Sequence, residues 1–158
     1  MFRDMTRAEQ KMSDGALREL LKKETWGVLS LTEVGGYPYG VPVNYAYEGG
    51  KIYFHGTTSG HKWDAMQKNN RVSFTVVGES EIVEEEYTTA YASAILFGRV
   101  SVLEGEERKK ALRFMTDRLA PSVDREMNAK TAENCGKAAV FSIDIEHASG
   151  KVGRLKIK

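Results

Sequence analysis

Residues 53–64 read YFHGTTSGHKWD, and this stretch organises the rest of the chain. Its first residues favour a β-strand, its middle residues are small or carry hydroxyl groups, and helix-forming residues begin at His61. The run therefore predicts a strand that ends in a tight turn and leads directly into a short helix over residues 61–68. Asn69 and Asn70 end that helix, and residues 71–77 alternate as the next strand.

The turn within this stretch carries the groups that hold a phosphate. Backbone N–H groups at a helix start, the hydroxyl of Ser59 and the ammonium of Lys62 together favour an anion. An ordinary strand-turn-helix connection, with Ser59 as the cap and Lys62 in solvent, explains the same residues. The glycine–lysine spacing of a Walker A loop is absent. Both interpretations remain open for this turn.

Upstream, the pattern predicts one helix and three strands. Leucines recur at helical spacing behind a Ser-Asp cap, so we expect an amphipathic helix over residues 16–23. Pro42 cannot donate to a β-ladder, which indicates an edge position or a bulge in its strand. Glycines 49 and 50 are typical of a hairpin. The predicted strands cover residues 26–31, 38–47 and 51–55.

Downstream, residues 79–86 contain five glutamates and predict a solvated loop or an exposed ribbon. A long β-prone stretch follows over residues 88–103, in which Gly98 indicates a bend or bulge. The remaining elements are a helix over residues 104–119, a partly helical segment over 123–137, a last strand over 138–145, and a polar, basic tail.

This order of elements predicts a mainly β fold with peripheral helices, of the Greek-key barrel type. The six predicted strands are short and joined by hairpins, which is unlike a doubly wound sheet. We expect a single domain over residues 1–158, with its core at about 12–146.

Composition and charge exclude several classes of protein. The 158 residues carry 23 basic and 22 acidic side chains, a formal charge of +1, so a general polyanion binder is not expected. Cys135 is the single cysteine, which excludes an internal disulfide and favours a reducing compartment. No signal peptide or membrane-spanning run is present in the sequence. We therefore expect a soluble, cytoplasmic protein.

The histidines do not predict a metal site. His55 and His61 lie on either side of a strand-helix boundary, His147 is remote in sequence, and no HExxH or Cys/His pair accompanies them. By contrast, residues 39–45 can place backbone groups and the Asn44 amide beside a flat aromatic ligand, although a plain hairpin strand accounts for them equally well. Residues 91–100 have the same two interpretations.

Five motifs together resemble a known family. In order, they are GYPYGVPVNY at 36–45, KIYFHG at 51–56, GHK at 60–62, NNRVSF at 69–74 and YASAILFGRV at 91–100. The series closely resembles the FMN-binding split barrels related to pyridoxamine 5′-phosphate oxidase. Within them it is most similar to the branch that contains nitroimidazole-resistance (Nim) proteins, over roughly residues 12–146.

This resemblance implies a six-stranded split β-barrel that forms a homodimer with two FMN sites, each built from both chains. Val41, Pro42, Val43 and Asn44 would face the flavin from one strand, and Phe54, His55 and Gly56 from the next. Ser59, His61 and Lys62 would hold the phosphate, while Tyr91 and Ser93 would approach the cofactor from the facing strand. His55 corresponds to a functionally prominent histidine of Nim-like proteins and is the candidate catalytic residue.

The function expected from these observations is that of an FMN-dependent oxidoreductase. It would reduce a small electrophilic or nitroaromatic acceptor, with NAD(P)H as a possible donor. A non-catalytic flavin carrier or sensor is the first alternative, and a haem-binding split barrel that uses a histidine ligand is the second. The C-terminal signature of true pyridoxamine-phosphate oxidases is not recognisable, so oxidation of vitamin B6 is not expected.

Overall fold

The computed structural model describes residues 2–32, 35–135 and 138–153. Within these ranges the chain forms four α-helices, seven strands and two short 3-10 turns. The helices are α1 (Asp14–Lys23), α2 (His61–Lys68), α3 (Gly105–Leu119) and α4 (Arg125–Asn134). The strands are β1 (Trp26–Thr32), β2 (Pro38–Asn44), β3 (Ala46–Glu48), β4 (Lys51–Gly56), β5 (Arg71–Val83), β6 (Thr88–Leu103) and β7 (Ala139–Gly153).

The strands form one antiparallel sheet in the order β2-β1-β5-β6-β7-β4-β3. The outermost strands of this sheet, β2 and β3, are consecutive in the chain and are separated only by Tyr45. The sheet therefore curls so that its two edges approach each other. The barrel would close if β2 paired with β3 or β4 at the other edge. Among the described residues no such pairing is present, so the barrel is not closed. The position of Pro42 on an edge strand agrees with the prediction from its missing N–H.

The expectation of six strands is wrong because the predicted strand over residues 38–47 is two strands. The chain pairs with β1 as far as Asn44 and with β4 from Ala46 onward. At the junction, the backbone N–H of Tyr45 donates to the carbonyl of Thr25 (2.9 Å). The fully buried Tyr45 side chain donates its hydroxyl to the Leu21 carbonyl (3.0 Å). These contacts fix the point at which the chain changes partner.

Helix α1 begins where the sequence predicts. Ser13 is its N-cap and accepts from the Ala16 N–H (3.2 Å). The leucines of the predicted apolar face are buried against the sheet. At its end, Lys22 and Lys23 lie near the negative pole of the helix dipole.

The core lies on the concave side of the sheet. Alternate residues of β5 and β6 point inward, including the fully buried Phe74, Val76, Ala94 and Leu96. On the convex side, α3 and α4 cover one end of the sheet with a second apolar cluster around Leu112 and Val140. The convex surface of β1, β5, β6 and the distal half of β7 is not covered by any described helix. We call this surface the outer face.

Two strands extend further than predicted. β5 continues to Val83, so residues 79–83 form an exposed ribbon rather than a loop. β7 continues to Gly153 because β6 supplies pairing partners along its whole length, with an irregularity at Phe97/Gly98 where the sequence indicates a bend. The predicted tail therefore contributes residues 151–153 to β7. Residues 154–158 of the tail and 136–137 of the predicted segment 123–137 lie outside the described residues.

Candidate functional site

The turn between β4 and α2 begins the candidate site. Thr57 donates its Oγ1 hydroxyl to the Ser59 carbonyl (3.0 Å), which tightens the turn. Gly60 is the N-cap of α2, has φ +89°, and supplies no side-chain cap. A residue with a Cβ is sterically strained in this positive-φ backbone conformation, so glycine is favoured at the position. Ser59 is therefore not the cap, and the first N–H groups of α2 have no side-chain acceptor from Gly60.

Lys62 lies half-buried behind this turn. Its Nζ is 5.9 Å from the centroid of the Phe54 ring and 3.0 Å from the point that a Cβ on Gly56 would occupy. Burial lowers the pKa of the Lys62 ammonium. Within the described ranges, no carboxylate lies within ion-pair distance of it. The alternative in which Lys62 is simply solvated does not describe this position, because the ammonium is partly desolvated and lacks a described counter-ion.

His61 connects the helix to the edge strand. Its ring lies 4.4 Å from that of Tyr39, with an interplanar angle of 45°. Tyr39 is half-buried and packs against the main core. The contact therefore brings β2 and the start of α2 together, which places two of the predicted binding segments side by side. Tyr39 is not among the predicted site residues. Strand alternation is the signal that could have included it, because Tyr39 shares a face of β2 with Val41 and Val43.

The predicted residues of β2 divide between two faces. Val41 and Val43 are half-buried, whereas Pro42 and Asn44 are exposed. Asn44 donates its side-chain N–H to the Thr25 carbonyl (3.2 Å), which orients the amide. Because β2 is an edge strand, its outer backbone groups are available to a ligand.

The predicted residues of β4 also differ in which of their atoms are accessible to a ligand. Phe54 is fully buried and stacks on Phe141, with 5.0 Å between ring centroids. Only its backbone is available to a ligand. His55 is exposed, and strand alternation directs it to the face opposite Phe54. Gly56 ends the strand beside Lys62.

Tyr91 and Ser93 lie at the opposite end of β7 from the predicted residues of β4. They pair with Gly153 and Lys151 at one end of β7, whereas Gly56 pairs with Ala139 at the other end. At about 3.3 Å per residue, about 40 Å of strand separates the two ends. One chain therefore does not bring the complete predicted set together.

The described residues offer neither a metal-binding cluster nor a membrane-spanning helix. No group of three or more His, Cys, Asp or Glu residues within 2–32, 35–135 and 138–153 is arranged to hold a metal ion. In the same part of the chain, no helix combines the length and the apolar character needed to cross a membrane.

Comparison with protein families gives one match over most of the chain. Residues 13–152 match the family model described as pyridoxamine 5′-phosphate oxidase. A comparison with curated proteins found no significant match.

Solved structures of several proteins share the fold. One is a candidate 5-nitroimidazole antibiotic resistance protein from Bacteroides thetaiotaomicron, with 22% identity, a TM-score of 0.73, and coverage of 90% of this chain and 86% of that one. A FAD and haem binding protein from Mycobacterium smegmatis has 22% identity and a TM-score of 0.79, covering 92% and 74%. A FAD-binding protein from Mesorhizobium loti has 22% identity and a TM-score of 0.62, covering 90% and 96%. At these identities, the comparisons establish the fold alone.

Proposed function

Because the chain belongs to the pyridoxamine 5′-phosphate oxidase family, we propose that it is an FMN-binding flavoprotein whose site lies between the two chains of a homodimer. We infer that it acts as an FMN-dependent oxidoreductase, passing electrons from NAD(P)H to a small electrophilic or nitroaromatic acceptor. A cytoplasmic location is part of the proposal and is supported by the single, half-buried thiol of Cys135.

The observation that carries the proposal is the geometry around Lys62. A partly desolvated ammonium without a described carboxylate partner lies beside an uncapped helix start. Phosphate supplies the negative charge and the acceptor oxygens that both groups lack. The small residues at 56 and 60 keep side chains out of the space between strand and helix. These residues therefore fit the phosphate end of FMN.

The adjacent strand supports the position of the ring. The flavin ring, when bound, supplies the hydride and electron chemistry. Val41 and Val43 offer apolar surface, while backbone groups of the edge strand can donate to or accept from the ring's polar edge. Asn44, held by the Thr25 carbonyl, adds an oriented amide. We assign His55 the role of a proton donor to the reduced acceptor.

The homodimer is proposed on two grounds. The outer face carries exposed apolar side chains, among them Val77, Ile95 and Phe97, which a second copy would cover. In addition, Tyr91 and Ser93 lie at the opposite end of β7 from Gly56, which favours a second chain as the source of the copies beside Lys62.

The test is an absorbance spectrum of the purified protein, followed by titration with FMN, FAD and haemin in separate experiments. We expect a flavin spectrum, tighter binding of FMN than of FAD, and oxidation of NADH or NADPH when a nitroaromatic acceptor is added. A colourless protein that does not quench FMN fluorescence would disprove flavin binding. Bound flavin that is never reduced would identify a carrier or sensor instead, and a Soret band without flavin binding would identify a haem protein.

A further inference from the structure

The tip of the β5–β6 hairpin projects beyond its neighbours. β1 pairs with β5 only from Ser73 to Thr75, and the described part of β7 pairs with β6 only from Tyr91 onward. Residues 80–89 therefore form a two-stranded ribbon without a described flanking strand, closed by a 3-10 turn over Glu84–Glu86. We call these residues the acidic arm.

The arm has the composition of a contact element. The chain has no lysine or arginine between Arg71 and Arg99, so the arm carries only negative charge. Ile82 and Tyr87 are 73% and 98% exposed, and Tyr87 has a left-handed backbone, φ +47°. A two-stranded ribbon is marginally stable by itself, and exposed apolar side chains on it indicate a surface to be covered.

Three of the arm's carboxylates, those of Glu81, Glu84 and Glu85, have no ion-pair partner among the described residues. Glu79, at the base of the arm, is paired with Lys23 (2.5 Å). Within the described ranges, no basic side chain lies within ion-pair distance of Glu81, Glu84 or Glu85. These three negative charges are therefore available for a positively charged surface.

A groove with the complementary charge lies on the outer face. It has a volume of about 580 Å³ and runs across β1, β5, β6 and β7. Arg71 and Arg99 face each other directly across β5 and β6. Arg99 Nε donates to Glu146 (2.7 Å), whereas the Arg71 guanidinium has no carboxylate partner among the described residues. Two like charges directly opposite each other destabilise a sheet, so a second carboxylate is favoured here.

The walls of the groove match the rest of the arm. Ser30, Thr32 and Ser73 bring hydroxyl groups, and Phe97 and Phe2 bring aromatic surface. The groove can therefore accept both carboxylates and the apolar side chains Ile82 and Tyr87.

We propose that the acidic arm of one copy lies in the Arg71 groove of a second copy, and that the exchange is reciprocal. This inference rests on the homodimer of the proposed function and names the contact that pairs the chains.

Charge reversal with mixing tests the arrangement. One variant is Arg71→Glu, and the other reverses the arm with Glu81→Lys, Glu84→Lys and Glu85→Lys. Each variant alone places like charges together in both contacts of its homodimer. We therefore expect the Kd of the dimer to be about tenfold higher than in the wild type. When the two variants are mixed, every contact again joins opposite charges. We expect heterodimers far in excess of the statistical share, measured by native mass spectrometry and sedimentation velocity.

Two control variants complete the experiment. A chain that carries all four reversals restores both contacts and should dimerise like the wild type, which also excludes misfolding as the cause. Glu133→Lys, an exposed reversal on α4, should leave dimerisation unchanged.

Each other outcome disproves the arm exchange. A monomeric wild type, unchanged homodimers of the two variants, or a statistical mixture would each do so. These experiments measure the mass of the assembly and do not depend on bound flavin. Heterodimer selection in a protein that binds no flavin would support the arm exchange and disprove flavin binding. Unchanged homodimers of variants that bind FMN would disprove the arm exchange and support flavin binding.

Discussion

At the scale of single residues, Lys62 is the side chain on which flavin affinity depends most. Replacing it in Lys62→Ala removes a charge-assisted contact to phosphate worth about 1.5–3 kcal/mol, so FMN should bind about 10- to 100-fold more weakly. Quenching of flavin fluorescence measures the change. Lys68→Ala, at the exposed far end of the same helix, is the matched control and should bind FMN normally. Unchanged affinity in Lys62→Ala would remove this residue from the site.

The same residue predicts how binding depends on pH. Burial lowers the pKa of Lys62, so its ammonium loses its proton at a lower pH than an exposed lysine does. FMN affinity should therefore be full below that pKa and fall as the pH rises through it. The alkaline fall should be absent from Lys62→Ala, which has no proton to lose at this position. An identical pH profile in the two proteins would contradict the assignment.

His55 predicts a different signature, because the proposed function assigns it a proton transfer during turnover. His55→Ala should lower the rate of acceptor reduction by about 100-fold, the effect typical of a lost proton donor. FMN affinity should fall less than in Lys62→Ala, because His55 is not among the residues proposed to hold the phosphate. Equal rates for His55→Ala and the wild type would leave His55 without a catalytic role.

At the scale of elements, the long β6–β7 ribbon depends on Gly98. A Cβ built on Gly98 would collide with the backbone oxygen of Asp144 and lie 2.9 Å from the Ile143 side chain. Gly98→Ala should therefore destabilise the fold by about 2–3 kcal/mol, which lowers Tm by about 5–10 °C in a chain of this size. Calorimetry measures the shift.

Gly15→Ala provides the opposite expectation in the same assay. Gly15 lies in α1, and its added Cβ would meet only Ser13 Oγ at 3.9 Å, an ordinary contact. Alanine should stabilise the helix by up to about 1 kcal/mol. A loss of stability in Gly15→Ala as large as that in Gly98→Ala would mean that steric fit at the bulge is not the cause.

At the scale of the whole molecule, the outer face should decide the assembly. Ile95 is 43% exposed there, and Ile95→Glu would place a charge in the apolar centre of the proposed dimer. We expect a folded monomer by sedimentation velocity that also binds FMN weakly, because the partner's Tyr91 and Ser93 are lost from the site. Met127→Glu changes an exposed apolar side chain on α4 and should remain dimeric. A dimeric Ile95→Glu would place the interface elsewhere.

Features that depend on neighbours a few residues apart can be predicted from the amino-acid sequence. The Ser13 cap, the hairpin at residues 49–50, the helix at 61–68 and the bend at Gly98 all follow from periodicity and turn chemistry. The turn at 57–60 is predictable as a candidate phosphate site for the same reason, since its groups are consecutive in the chain.

Which segments pair with each other is known only from the folded structure. Residues 38–47 become two strands because Tyr45 is held by Thr25 and Leu21, about 20 positions earlier in the sequence, which no local pattern reveals. Likewise, the separation of Tyr91 from Gly56 depends on where each strand pairs along β7. Strand pairing and burial are set by residues remote in sequence, whereas capping and periodicity act within a few residues. That difference in range is why the elements could be predicted and the contacts between them could not.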